Sequence, residues 1–571
     1  IKVGEVEIKL NGYADDTYFF PRNITSLKII LNECNKFEKM SCLKLNAEKS
    51  EACWLGPAKH NLERPTFCKW VDLTKDKIRV LGIFESYDQK LSQEYNFLSI
   101  LNSVKEVSNI WKQRNLTLAG KINIFKSLAL SKAIFVCTMK NAPQKFIDDL
   151  NHIQKEFLWN GKPKIKHSTI VSSYANGGYN SVDVESKIHA IRISWIKRLL
   201  EPDFHQWKLI PNVIYQNIGG LSVFHSNLSL SKSSSIYTKV IPTFYANLLQ
   251  SWQKVCNTEP ESADDICSQS IWNNRFILVK GQPIFNSVFY QKGIVTIYDL
   301  LDENGRLNTW QEIKTKFSLP RGSYIYYYGI VKVIPNDWKN TIQIQNISQT
   351  KDQCTLNFSR IGNLKTPLQK STVKSIYTLL ITSFQTTPTA QCKLSALLRD
   401  DDIDWKLVYE LPRKVTIESY MRVFQYKILH NILFLNNRLF KINYADSPLC
   451  SLCKEVNETV VHLFCECRIT VQIWTEVKLW LSNRISIPNL CARLVLVGKF
   501  IIENEHDMLL NHLLLLFKSF IYSNRSKNMF IRFTNFHKYV AYVEKVEQNI
   551  AASKNKLDSH FKKWHPILDI L

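Results

Sequence analysis

The sequence predicts an α+β protein, with strands gathered in the first hundred residues and a mostly helical chain after them. Three observations predict it. Apolar–charged alternation, the two-residue period of a half-buried strand, occurs at Val6–Leu10 before an Asp-Asp turn. Apolar residues then recur at three- and four-residue spacing, beginning with Leu27, Ile30, Leu31, Cys34 and Phe37. Finally, four of the fourteen cysteines crowd between Cys450 and Cys467, around His462. The 571 residues are 45% hydrophobic and 22% charged, enough apolar material for sizeable cores and not the composition of a disordered chain.

Charge and cysteine use narrow the class. The net charge of +24 predicts attraction to polyanions such as nucleic acid. Fourteen cysteines over this length are too dilute for a disulfide scaffold. No apolar run is long enough to cross a bilayer, and Leu513–Phe517, closed by Lys518, reads as a buried helix. The chain opens at Ile1 inside a strand-like pattern, which suggests a piece of a longer protein.

Taken in order, Val6–Leu10 and Thr17–Phe20 read as strands on either side of Tyr13-Ala14-Asp15-Asp16. Two carboxylates at one turn repel, and a divalent cation relieves the repulsion. Asp is also a common turn residue, so the pair has a purely conformational reading. After Pro21 comes an amphipathic helix, then Leu43–Ser50, strand-like Ala52–Leu55, and a strand running from Ile78 through Ile83. Residues 101–200 hold 16 Lys and Arg against 6 Asp and Glu, so ten of the net charges lie there. Ile122, Phe125, Leu128 and Ala129 are expected to face a core, leaving Lys126 and Lys132 outward. Gly161 is expected to cap the helix that ends Phe157-Leu158-Trp159-Asn160, before a loop bearing Lys162, Lys164 and Lys166. Lysines on helix faces bind phosphates without reading bases. Between 201 and 445 the tryptophans read as core anchors, and the polar stretch from Thr341 to Ser371 as a linker.

Cys450-x2-Cys453-x8-His462-x4-Cys467 has the form of a closed, structural Cys₃His zinc site, with Cys465 a rival fourth ligand. The tail from Tyr522 to Trp564 is helical and basic (Arg525, Lys527, Arg532, Lys538, Lys554, Lys556, Lys562, Lys563), which fits a second polyanion contact.

Tyr13-Ala14-Asp15-Asp16, a helix, Leu45-Asn46-x-x-Lys49-Ser50 and Leu81-Gly82-Ile83, in this order, resemble the C-terminal half of a reverse-transcriptase palm, closest to the non-LTR (LINE-1-like) retrotransposons. The resemblance implies four regions: part of a palm at 1–100, a basic helical thumb at 101–200, a mainly helical connector at 201–445, and a zinc-binding, basic helical region at 446–571. It implies Asp15 as a Mg²⁺ ligand beside Asp16, Tyr13 near the primer end, Asn46 and Lys49 beside the incoming nucleotide, and Lys49 as proton donor to pyrophosphate. Val80–Ile83 would grip the primer. Arg114, Lys121, Lys126, Lys132, Lys162, Lys164 and Lys166 would track the duplex of RNA template and DNA primer, and the Cys/His cluster, followed by Trp474, would assist nucleic-acid binding.

In that family a further metal-binding Asp, the fingers and the template grip precede the hairpin, whereas twelve residues precede Tyr13 here. The chain is therefore expected to bind nucleic acid without polymerising alone, and an active element of this kind would work in the nucleus and in cytoplasmic ribonucleoprotein. The contrasting reading is a non-catalytic, zinc-stabilised nucleic-acid-binding or scaffolding protein whose Asp pair is only a turn.

Overall fold

The computed structural model describes residues 1–224, 227–229, 241–256, 259–344, 360–361, 366–400, 402–525 and 531–571. Most of the expected linker between Thr341 and Ser371, and Lys527, lie outside these residues. The described chain is α+β and chiefly helical; its strands form six two-stranded ribbons. It divides into two compact units that interleave in sequence. The first takes Ile1–Lys105, Leu130–Asn151 and Val184–Ser383, the second Glu106–Ala129, His152–Asp183 and Phe384–Leu571. No single described helix is long and apolar enough to cross a membrane.

In the first unit the opening strand pattern resolves into two ribbons. Gly4 takes a positive φ of 59°, so the chain reverses early and Lys2–Val3 pairs with Val6–Glu7. A new strand, Leu10–Tyr13, then pairs with Asp16–Phe19 in the register Tyr13↔Asp16. The single strand expected over Val6–Leu10 is therefore divided, because a two-residue turn at Ala14-Asp15 demands that its leading strand run to Tyr13. The strand expected from Ile78 to Ile83 is likewise a hairpin, Ile78–Val80 with Ile83–Glu85. Its turn residues Leu81 and Gly82 both have positive φ, the conformation that matches strand twist in a tight hairpin. The helix Ile24–Ser41 is capped by Asn23, whose side chain accepts from the Ser26 amide, yet no residue along it is buried. Leu27, Ile30, Leu31 and Cys34 are only half-covered and Phe37 is 59% exposed.

Helix Val184–Leu200 organises one core of this unit, with Ile193 and Ile196 packed among Tyr215, Phe224, Trp252 and Ile376. A second core gathers Ile271, Trp272, Ile297, Ile313, Tyr327 and Trp338. Trp252, Trp272 and Trp338 are buried, as core anchors should be.

The second unit closes around one large core running from Leu394 to Ile567. Its central helix, Glu505–Asn524, is buried along most of its length, Leu513–Phe517 included. Two details depart from the sequence reading. Ile122, Phe125 and Ala129 are buried but Leu128 is 41% exposed, because Phe125–Ala129 forms a single wide turn that rotates the later positions off the helical face. Helix Gln144–Trp159 ends on Asn160, at φ 49°, rather than on Gly161, since Asn too tolerates the left-handed cap.

Lys518 does not close the apolar run toward solvent. It is buried and donates to Gln425 Oε1 and the Val495 carbonyl, both at 2.7 Å. Gln425 in turn donates to the Leu496 carbonyl at 2.8 Å, so one polar chain ties three helices together. Burial pushes the Lys518 ammonium down to about 7. A lysine so shifted binds fewer protons folded than unfolded between about pH 7 and about pH 10. Stability is therefore expected to rise with pH across that window, and Lys518→Met to flatten the rise by roughly 2–4 kcal/mol, read from denaturant unfolding at several pH values.

Candidate metal centre and nucleic-acid interface

Two short elements of the second unit bring four ligand atoms together. A bridge between Leu449 and Asn457, with the Cys450 amide donating to the Val456 carbonyl at 2.7 Å, closes the Cys-x-x-Cys turn. Lys454 takes φ 64° to complete that turn. The returning chain enters a wide turn at His462–Glu466, and Cys467 stands at the N-cap of helix Arg468–Leu481. One ligand atom each from Cys450, Cys453, His462 and Cys467 lie within 4.8 Å of one another, and all four residues are buried. Cys453 Sγ and His462 Nε2 are 3.3 Å apart. A tetrahedral zinc ion with Zn–S bonds of about 2.3 Å needs ligand separations of roughly 3.8 Å, so the cage has the right size. Cys465 is buried elsewhere and is not one of the four.

The cage holds one sulfur ready for negative charge. Cys467 Sγ accepts from the Cys450 thiol and from the amides of Thr470 and Ile469, which hold its thiol below the ordinary range. Giving that hydrogen bond to Cys467, together with burial, pushes the Cys450 thiol up, although the amides of Cys453 and Leu452 also point to its Sγ. Among the described residues this is the one group of three or more His, Cys, Asp or Glu side chains close enough to share an ion. Trp474, on the helix begun by Cys467, packs its ring 4.9 Å from that of Phe517.

Glu458 was not singled out from sequence, although it is fully buried beside the centre. Its carboxylate accepts the Asn436 and Ser451 amides, both at 2.9 Å, and pairs with Arg525. The arrangement fastens the Cys-x-x-Cys turn to the end of the central helix. A glutamate five residues after Cys453 carries no motif of its own, so only the fold reveals it.

The expected phosphate contacts sort by environment. Lys121, Lys164, Lys427 and Arg438 cluster in the second unit. Lys164 Nζ sits 4.1 Å from the Phe434 ring centre, and Lys121 Nζ lies 3.3 Å from Asn160 Oδ1. Burial, then Lys427, Arg438 and Lys121, hold the Lys164 ammonium below its ordinary range; burial and Lys112 do the same to Lys121. No carboxylate pairs with any of the four among the described residues. Lys427 and Arg438 come from the second half of the chain, which charge counting over 101–200 does not reach. Lys164, Lys166, Trp159 and His167 also line a cavity of about 400 Å³.

Arg114, Lys162 and Lys166 are exposed in the second unit, and Lys126 donates to the Asn180 carbonyl at 2.6 Å. Lys132 belongs to the first unit. In the basic tail, Arg525 pairs with Glu458, Lys563 with Glu547 at 2.9 Å and Lys562 with Glu505 at 2.6 Å. Those three charges are neutralised internally, leaving Arg532, Lys538, Lys554 and Lys556 exposed among the described residues of the tail.

Tyr13, Asp15 and Asp16 lie on an exposed hairpin, Tyr13 with 67% of its surface open. Neither carboxylate has an ion-pair partner, and no third carboxylate joins them, among the described residues. Lys49 stands on a separate exposed turn held by Asn46, whose side chain accepts the Lys49 amide at 3.1 Å. In the first unit a cavity of about 460 Å³ is lined by Glu185, His189, Asn247 and Lys254, and His189 Nδ1 meets Ser251 Oγ at 2.9 Å. That hydroxyl is fully buried and donates to the Asn247 carbonyl, so it is no nucleophile.

Comparison with known proteins agrees with the centre. A family model described as zinc-binding in reverse transcriptase matches residues 372–474, which include all four ligands. An uncharacterised 149 kDa protein of transposon TX1 from Xenopus laevis is 22% identical over 261 residues, 45% of this chain and 20% of that protein. A putative ribonuclease H protein from Arabidopsis thaliana is 19% identical over 417 residues, 68% of this chain and 57% of its own length. The chain thus spans about a fifth of one curated relative and rather more than half of the other. With the Cys₃His geometry, these matches make the chain a relative of the non-LTR retrotransposon reverse transcriptases.

Proposed function

We propose that this chain is the nucleic-acid-gripping C-terminal part of a retrotransposon reverse transcriptase, held in shape by structural zinc. The observation that carries the reading is the group Lys121, Lys164, Lys427 and Arg438, gathered without a carboxylate partner in the unit that bears the Cys₃His cage. Cations that only repel one another cost folding energy, and a polyanion relieves that cost. The partner class is template–primer duplex or element RNA, bound through phosphates. The setting is the nucleus and cytoplasmic ribonucleoprotein.

Zinc held by Cys450, Cys453, His462 and Cys467 has no open position and supplies folding energy rather than chemistry. Asp15 and Asp16 stand as the metal-side carboxylates of a polymerase hairpin, with Lys49 as the leaving-group proton donor. By themselves the two carboxylates supply neither the ligand number nor the clamp of a two-metal site, so no polymerisation step is assigned to this chain alone. The same exposure of the pair favours, as the second reading, a zinc-stabilised binding protein without catalysis.

Three measurements test these assignments. Metal analysis should find one zinc per chain, lost in Cys450→Ser/His462→Ala together with cooperative unfolding of the second unit; retained zinc in that variant rejects the site. Lys164→Gln/Lys427→Gln should weaken duplex binding by at least tenfold and lower the slope of log affinity against log salt by about two, without lowering thermal stability. Primer extension with Mg²⁺ should be absent. Extension that appears and is abolished by Asp15→Asn would overturn the incomplete-site reading, and extension that survives Asp15→Asn would refute the metal-ligand role.

A further inference from the structure

We propose that the outer face of helix Tyr324–Val333, in the first unit, binds single-stranded nucleic acid by stacking bases on Tyr324 and Tyr328 between phosphate contacts at Arg321 and Lys332. The proposal rests on the first unit alone and does not depend on the lysine cluster of the second.

The helix has two unlike faces. Tyr327 and Ile330, with Ser323 just before the helix and Ile334 just after it, are buried, and Tyr327 packs 6.0 Å from Trp310 and bonds the Asn308 carbonyl. Opposite them, at three- and four-residue spacing, stand Arg321, Ile325, Tyr328 and Lys332, with Tyr324 alongside. Tyr324 is 48% exposed, Ile325 64% and Tyr328 56%. A Cβ on Gly329 or Gly322 would meet nothing within 4 Å, so the backbone beside the rings is an open shelf.

Aromatic surface left in water at one place marks a site of contact, and its surroundings say with what. Lys314, Lys316, Arg321 and Lys332 are the charges between the flanking acids Glu312 and Asp337, which stand on the neighbouring helices, Glu312 within reach of Tyr327 on the buried side. The occupant therefore carries negative charge and offers flat, apolar faces. Unpaired nucleobases on a phosphate chain combine both; a duplex does not, because its base faces are already stacked on one another. Arg321 and Lys332 are eleven residues apart, about 16 Å along the axis, which places a few nucleotides between the two phosphate contacts. Trp272 and Trp338 are buried and Tyr326, though 61% exposed, lies off this face of the helix, so Tyr324 and Tyr328 are the rings this face offers.

The test uses the full chain and a single-stranded oligodeoxynucleotide carrying 2-aminopurine, whose fluorescence falls on stacking, against a duplex of equal length. Tyr324→Ala/Tyr328→Ala should remove the quenching and lower the ratio of single-strand to duplex affinity at least tenfold, while Tyr324→Phe/Tyr328→Phe retains both. Lys164→Gln/Lys427→Gln should leave the quenching in place, which separates this site from failure of the duplex-binding reading. An unchanged ratio in the Ala variant overturns the proposal. So does an Ala variant whose only change is in sedimentation, which would make the face a contact between copies of the chain.

Discussion

Three thiols and an imidazole enclosed within 4.8 Å of one another in an apolar core set the terms on which the second unit folds. As thiolates they are stable there only with a cation, and as neutral thiols they accept the amide hydrogen bonds aimed at Cys450 and Cys467 only weakly. The segment that carries them has little regular structure: a closed turn, a bridge and one wide helical turn. Its shape depends on what the ligands hold and on the buried Glu458–Arg525 pair behind them, whose carboxylate also satisfies two backbone amides. Removing either partner of such a pair strands a buried charge, so the centre and its support are one device.

The distribution of charge follows a related logic. Basic residues near the chain end that count equally in composition are unequal in the fold, since Lys562, Lys563 and Arg525 face carboxylates. Lys164 faces cations instead, and its ammonium is held down by burial first and by those neighbours second. Crowding like charges in this way lowers the protein's own stability, a cost that a bound polyanion would relieve.

The first unit presents a different chemistry. Trp252, Trp272 and Trp338 fill its cores, while a tyrosine-bearing helix face is left in water between two cations. A phosphate grip in one unit and a base-stacking face in the other would let the chain treat paired and unpaired nucleic acid differently. The hairpin with Asp15 and Asp16 and the helix after it remain largely open.

Local pattern alone determined the α+β class, the existence of the hairpin and its helix, the buried Leu513–Phe517 stretch and the spacing of Cys450, Cys453, His462 and Cys467. Each of these is written in neighbouring residues, through period, turn chemistry or ligand spacing. Tertiary structure decided the rest. Cys467 rather than Cys465 reaches the cage because it starts a helix aimed at it. Lys427 and Arg438 join Lys121 and Lys164 across some three hundred residues of sequence. Strand boundaries shifted where positive φ at Gly4, Leu81 and Gly82 placed turns that apolar alternation does not encode. Burial, like-charge proximity and the pairing of Glu458 with Arg525 are relations between distant segments, and no local period carries them.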